Sequence, residues 1–162
     1  MAFPIGEQIA IKVRSRLQSI SVGSGFETTV NGTVVRPPRI WTGAAADYQI
    51  TMAQGTIERN EELSYPSNPP VTAWNLPFTI VGELRPSEDA TTPIEELCNV
   101  FGADAIRAIC TPSTSWYNWD GLAINTVIGS IENFNSEEAA GFKLEFVVTF
   151  RTSEGNPYEL RV

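Results

Sequence analysis

Apolar residues recur at helical spacing in two segments of the chain. The first stripe lies between residues 4 and 19, with charged and amide side chains mostly on the opposite side. The second stripe follows Thr92 and Glu95, which have the spacing of a capping box with Pro93 at the first helical position. The spacing predicts a helix over residues 4–19 and a second helix from residue 93 to a stop at Thr111-Pro112. The two stripes are Ile5, Ile9, Val13, Leu17 and Ile20, then Ile94, Leu97, Phe101, Ala105 and Ile109.

Alternation of apolar and polar residues predicts strands elsewhere. The clearest cover residues 48–52, 73–84, 123–131 and 141–151. Residues 26–35 are also predicted to be strand, with a hairpin or bulge at Asn31-Gly32, and residues 41–46 are predicted to be loop. The order of elements predicts an α+β fold: a single mixed, mostly antiparallel sheet with two helices packed on one face. We expect one domain over residues 1–162.

Residues 53–72 interrupt the strand pattern with a polar, acidic and proline-bearing stretch. About twenty residues without an apolar face of their own are unusual inside a compact domain. The sequence therefore predicts a projecting loop or arm over residues 53–72.

The net charge and the cysteine content limit the partners and the redox state that we expect for the protein. The net charge of -8, with two lysines in the chain, argues against sequence-driven binding of DNA or RNA, which requires clustered cations. We expect no signal peptide and no membrane span. Cys98 and Cys110 are twelve residues apart on the second predicted helix, a rise of about 18 Å. That separation exceeds the reach of a disulfide, so free thiols are predicted.

The sequence carries no recognisable catalytic constellation. It has no histidine, so the usual hydrolytic triads and histidine-based metal sites are excluded. Adjacent carboxylates occur at four places, yet all fall in predicted loops or helix starts, where solvated acids are common. We therefore predict a protein that is not an enzyme and has no metal or cofactor. A small enzyme acting through a carboxylate pair remains the alternative from another class.

Aromatic and arginine residues are the candidates for contact with a partner. Trp116, Tyr117 and Trp119 lie within four residues and are equally compatible with a binding surface and with a small core cluster under a loop. Arg36, Arg39 and Trp41 form a second group, for which a solvated strand end is the alternative. The last predicted strand closes on Phe150-Arg151 and is followed by a short tail containing Pro157 and Tyr158. The candidate interface residues are Arg36, Arg39, Trp41, Trp116, Tyr117, Trp119, Arg151 and Tyr158.

The element order and two short signatures resemble the tail terminator proteins of long-tailed bacteriophages. One signature is the exit Val34-Val-Arg36 from the first strand region, which follows a helix ending near Leu17-Gln-Ser-Ile20. The other is the ending Val148-Thr-Phe150-Arg151 with Asn156-Pro157-Tyr158 after it. The resemblance covers nearly the whole chain, although residues 53–72 and the cluster at 116–119 have no counterpart in it.

The resemblance implies a role in assembly. Its members form a ring, typically of about six copies, that caps the tail tube, stops its polymerisation and meets the head connector. The implied partners are other copies of the chain, the tube protein and a neck protein, with DNA passing through without specific binding. The implied location is the head-proximal end of the virion tail, and the host cytoplasm during assembly. The alternatives are a head-to-tail joining protein and an aromatic-based carbohydrate or peptide binding module.

Overall fold

The chain forms two α-helices and six β-strands in a computed structural model that describes residues 3–30, 34–36, 48–85, 91–110, 119–136 and 139–161. The helices are α1 (Ile5–Gln18) and α2 (Ile94–Cys110), close to the predicted bounds. The strands are β1 (Tyr48–Gln54), β2 (Glu58–Tyr65), β3 (Val71–Leu84), β4 (Asn125–Asn135), β5 (Ala140–Ser153) and β6 (Asn156–Leu160). The predictions at Asn31-Gly32, residues 41–46 and Thr111-Pro112 fall outside the described residues.

Two long strands form the centre of one antiparallel sheet. β3 and β5 pair over their whole length, from Val71 opposite Ser153 to Leu84 opposite Ala140. β1 and β2 pair with successive parts of β3, while β4 and β6 pair with successive parts of β5. Each side of the central pair is therefore flanked by two shorter strands, placed one after the other. The strand order is β1-β3-β5-β4, with β2 also beside β3 and β6 also beside β5.

The core lies between one face of this sheet and the two helices. Inward positions alternate along β3 and β5 because successive strand residues point to opposite faces. Leu76, Phe78 and Ile80 from β3 are buried with Leu144 and Phe146 from β5 in one cluster that includes both helices. The predicted α+β fold is confirmed. All strand pairs among the described residues are antiparallel, and the parallel component is one isolated bridge, Val35 to Thr51.

The prediction of a strand over residues 26–35 is wrong for residues 26–30, whereas Val35 forms a β-bridge with Thr51. Residues 26–30 form no strand because side chains of α2 satisfy their backbone instead. Asp104, buried on α2, accepts hydrogen bonds from the backbone N–H groups of Glu27 and Thr28 and from the Thr28 hydroxyl. Arg107 donates to the carbonyl of Gly25. The segment is therefore a loop held against α2.

The prediction of a loop over residues 53–72 is also wrong for its middle part, because Glu58–Tyr65 form the strand β2. Its residues are polar on both faces, and most are exposed, so the strand has no apolar alternation to reveal it. Its Asn60 amide donates to Asn75 of β3, and the Ser64 hydroxyl accepts from the backbone N–H of Ala73. Pairing with β3 rather than burial of apolar side chains thus fixes β2.

The segment after β5 is a strand, whereas the sequence predicted a short tail. Glu154 and Gly155 make a tight turn that returns the chain as β6, with Ser153 opposite Asn156. Gly155 has a φ of 74°, a left-handed conformation that glycine adopts at no steric cost. Arg161 then donates from Nε to the Ser153 hydroxyl at 2.6 Å, which ties the end of the hairpin to β5.

Candidate functional site

An apolar groove of about 420 Å³ lies where the start of α1 meets the end of the sheet that α2 does not cover. Its walls come from α1, the turn between β1 and β2, the central strands and β6. Six of its eight lining residues are apolar or glycine, and two are polar. The lining residues are Pro4, Gly6, Glu7, Gln54, Ile57, Trp74, Phe150 and Pro157.

The floor of the groove is an aromatic pair from the two central strands. Trp74 lies opposite Phe150 in the sheet register, on the helix-facing surface. The indole N–H of Trp74 donates to the Thr152 hydroxyl at 2.9 Å, so the ring is held in one orientation. Gly6 of α1 lies over this floor, where an added Cβ atom would be in ordinary van der Waals contact, 3.5 Å from Phe150 Cζ. The groove is thus a shaped apolar surface with a fixed floor.

The polar rim of the groove is organised by Arg36. Its guanidinium binds the Glu7 carboxylate through two hydrogen bonds of 2.8 and 2.9 Å and donates a third, of 2.7 Å, to Gln54. Such a bidentate contact fixes both groups more strongly than a single ion pair does. Arg36 is therefore placed behind the rim, where it positions Glu7 and Gln54, and its charge is compensated within the molecule.

Phe150 and Arg151, the aromatic-arginine signature, point to opposite faces of the sheet. Phe150 reaches the groove, whereas Arg151 lies opposite Ala73 on the other face, with its guanidinium 5.3 Å from the centre of the Tyr65 ring. Its Nε atom is buried and has no hydrogen-bond partner among the described residues. The groove is thus lined by Phe150, whereas the candidate residue Arg151 does not line it.

Tyr158 is the candidate residue that the structure leaves most open to solvent. It lies on β6, one position after the groove residue Pro157, and 54% of its surface is exposed. Because successive residues of a strand point to opposite faces, Tyr158 points away from the face that Pro157 presents to the groove.

The structure buries Trp119, which corrects its assignment as a candidate interface residue. Its side chain is fully buried, its indole N–H donates to the Thr126 hydroxyl at 2.9 Å, and the Arg16 guanidinium lies 4.2 Å from its ring centre. Burial lowers the pKa of Arg16, and the neighbouring carboxylate of Asp120 opposes this shift. Trp119 therefore belongs to the core, as in the alternative interpretation. Its fellow candidates Trp116 and Tyr117 lie outside the described residues, as do Arg39 and Trp41.

The structure brings residues of the two signatures together around the groove, although the signatures are far apart in the sequence. Arg36 contacts two groove residues, Phe150 forms the floor, and Pro157 forms a wall beside Tyr158. Sequence reasoning missed Trp74 and Ile57 as site residues. The alternation of residues 73–84 places Trp74 on the inward side of its strand, as the structure does. No local signal in the sequence reveals that α2 does not cover this end of the strand.

A metal site and a membrane-spanning helix are both absent from the part of the chain that the structure describes. No group of three or more histidine, cysteine, aspartate or glutamate side chains there is placed to hold a metal ion. The helices resolved in the described ranges are too short or too polar to cross a bilayer. Cys98 and Cys110 are both free thiols, as predicted. Burial raises the pKa of each.

Comparison with known proteins assigns no relative. The chain matches no protein-family model, and no curated protein matches it in sequence.

Proposed function

We propose that the protein is a structural component of a bacteriophage tail, a tail terminator. It forms a ring of about six copies that caps the tail tube, stops its polymerisation and joins the tail to the head connector. The observation that carries the proposal is the convergence of both family-like signatures on one groove. The first signature reaches it through Arg36, and the second through Phe150 and Pro157.

A closed ring requires two different surfaces on each copy, because each subunit meets its neighbours head to tail. The groove supports one of them: it is apolar, it has a fixed aromatic floor, and the exposed Ile57 lines it. Exposed apolar surface of this kind often marks a site of contact with another macromolecule. The proposal assigns the chain no catalytic activity and no cofactor.

The charge of the protein supports passage of DNA without adhesion. The net charge of -8 repels phosphates, and Arg36 is already paired with Glu7. In a gel-shift experiment at low salt we expect no retarded duplex DNA at micromolar protein. A retarded band that disappears as salt is raised would contradict this part of the proposal.

A head-to-tail joining protein is the nearest alternative, since it is also a ring former without catalysis. The choice of partner separates the two, because a terminator binds the end of a tube polymer and a joining protein binds the connector. The groove also gives a second class some support: Trp74 and Phe150 form an aromatic floor of the kind that holds a peptide or a sugar. Burial of Trp119 removes one of the two tryptophans on which that alternative first rested.

The test is light scattering behind size exclusion over a range of protein and salt concentrations, with negative-stain imaging of any heavy peak. We expect closed rings of about six copies with an open centre, as a head-to-tail interface with rotational closure requires. A monomer at every concentration whose tryptophan fluorescence shifts on adding a peptide or an oligosaccharide would contradict the proposal and favour the binding module.

A further inference from the structure

The two edges of the sheet differ in how well they are protected. An edge strand presents unpaired N–H and C=O groups to which another chain can add. Natural proteins block such edges with charges, proline, bulges, short strands or a covering segment. The described strands at the edges are β1 and β2 on one side, and β4 and β6 on the other.

The β1–β2 edge is protected along its length. Val35 covers the middle of β1: its N–H donates to the Ile50 carbonyl, and its carbonyl accepts from the Met52 N–H at 3.0 Å. β2 carries four charged residues among eight, and its register with β3 shifts between Asn60 and Tyr65. Both strands therefore resist the addition of a further chain.

On the other side, β6 is protected, and β4 has a single bulge. β6 has five residues, and Pro157 removes one of its N–H donors. β4 has eleven residues, with Glu132 as its single charged residue and with no proline or lysine, and its register with β5 shifts between Ile128 and Ser130. Val127 and Ile131 on this strand are 52% and 41% exposed, and β4 pairs with β5 alone among the described strands. Of the four edge strands, β4 is the longest, and its residues 130–135 pair with β5 without a further shift.

We propose that the exposed edge of β4 adds to a strand of a second copy of this chain. The inference deepens the proposed function and rests on it for the identity of the partner. Charge supports the same partner, because two copies that each carry -8 repel unless they meet where charge is scarce, and β4 has one charge in eleven residues. Backbone hydrogen bonds would supply affinity, and Val127 and Ile131 would supply apolar contact.

Two other segments are less suited to this contact: the last strongly apolar strand and residues 53–72. The first is β5, which is paired on both sides and has no free edge, and the second contains the charged strand β2. β4 takes their place because strand order, which the sequence does not reveal, puts it at the rim.

The experiment compares Val127→Lys with Leu63→Lys in the full chain. Both residues are exposed and lie on edge strands, Val127 on β4 and Leu63 on β2, so neither change should unfold the subunit, as circular dichroism and thermal melting would confirm. We expect Val127→Lys to weaken self-association by about tenfold or more, because the interface would bury an unpaired charge. Leu63→Lys should assemble like the natural chain.

Hydrogen exchange gives a second readout that does not depend on a substitution. At protein concentrations where the heavy species forms, amides of residues 125–135 should become protected relative to the dilute chain, while those of β2 should not. Unchanged exchange in β4 on assembly would overturn the inference.

The outcomes separate this inference from the proposed function. Closed rings that persist in Val127→Lys overturn the role of β4 and leave the terminator proposal standing. A dimer that depends on Val127, with no closed ring at any concentration, supports the role of β4 and overturns the terminator proposal. A strict monomer at the highest soluble concentration overturns both.

Discussion

The helix-facing surface of the sheet is close-packed at one end and open at the other. At the α2 end, the rings of Phe101 and Phe142 meet edge to face at 5.0 Å, and Tyr48 meets Phe101 at the same distance. Two glycines make room for these rings. A Cβ atom on Gly82 would lie 2.9 Å from Phe101 Cε1, and one on Gly102 would lie 2.6 Å from Ile131 Cδ1.

At the other end, the same two central strands carry the groove. Trp74 and Phe150 are as large and as apolar as the rings at the α2 end, yet about 420 Å³ beside them is left unfilled. The start of α1 lines this space without filling it. The chain thus has aromatic residues at both ends of one surface, and α2 covers only one of these ends.

Under the proposed function, the close-packed end of this surface stabilises the subunit and the groove end contacts a partner. The close-packed end removes its apolar area from water within the subunit, so its substitutions should act on folding. The open end keeps apolar area that a partner would remove from water, so its substitutions should act on assembly. Four substitutions test this division, beginning with the one that should destroy both ends.

Phe146→Asp should have the largest effect. Phe146 lies midway along β5, is 1% exposed and stacks on Phe78 with ring centres 5.1 Å apart. An unpaired carboxylate there should lower the free energy of unfolding by more than about 4 kcal/mol, measured by urea denaturation or seen as loss of soluble protein. Val148→Asp should behave alike, and the control Phe146→Leu should cost about 1 kcal/mol. Tolerance of both aspartates would mean that β5 is misplaced.

Gly82→Ala should destabilise the close-packed end by about 1–3 kcal/mol, because the added methyl overlaps the rings of Phe142 and Phe101. Gly23→Ala is the matched control: nothing lies within 4 Å of a Cβ atom there, and its effect should stay within about 0.5 kcal/mol. Equal denaturation midpoints for the two variants would contradict the tight packing described for this end.

Ile57→Asp should leave folding nearly unchanged and impair assembly. Ile57 lines the groove and is 39% exposed, so the free energy of unfolding should change by less than about 1 kcal/mol. The control is Val22→Asp, at an apolar residue that is 61% exposed and does not line the groove. Light scattering should show fewer rings for Ile57→Asp alone. The same loss of rings in both variants would point to charge rather than to the groove.

Glu83→Gln should have the smallest effect, and it depends on pH. Burial raises the pKa of Glu83 above its ordinary 4.5, partly opposed by Arg85, so the folded chain holds this proton more tightly than the unfolded chain does. Stability from this group is therefore present below pH 4.5 and is lost as the pH rises through the folded pKa. The variant should melt slightly higher than the natural chain at pH 7, and the difference should shrink as the pH falls towards 4.

Glu145→Gln gives the opposite sign as a control. The hydrogen bond and charge of Lys143 lower the pKa of Glu145, so its contribution is present above its ordinary pKa and is lost on acidification. We expect this variant to melt slightly lower than the natural chain at pH 7. A shift of the same sign in both variants would contradict the assigned burial of Glu83.

Much of the close-packed end could be predicted from the sequence. The stripe through Phe101, Ala105 and Ile109 identified the buried side of α2, and alternation identified β3 and β5 as strands. These predictions succeeded because burial on one face imposes a period of 3.6 or 2 on the sequence itself. The same reasoning missed β2, whose exposed faces impose no such period.

The candidate site was predicted only in fragments. The sequence singled out Arg36 and the Phe150-Arg151 pair. It did not reveal that Arg36 fixes Glu7 and Gln54, or that only Phe150 of the pair reaches the groove. Trp119 was equally compatible with surface and core, because a tryptophan in a turn has the same local sequence in either place. Contacts across the fold settled its burial, through Arg16 and Thr126.

By itself, the sequence determined the helices, the four apolar strands, the free thiols and the α+β class, since each follows from spacing along the chain. Tertiary structure alone decided that β5 is central and β4 is at the rim, that residues 26–30 bind α2 through Asp104, and that the groove stays open. Strand order and uncovered surface depend on contacts between residues far apart in sequence. Local periodicity does not encode those contacts.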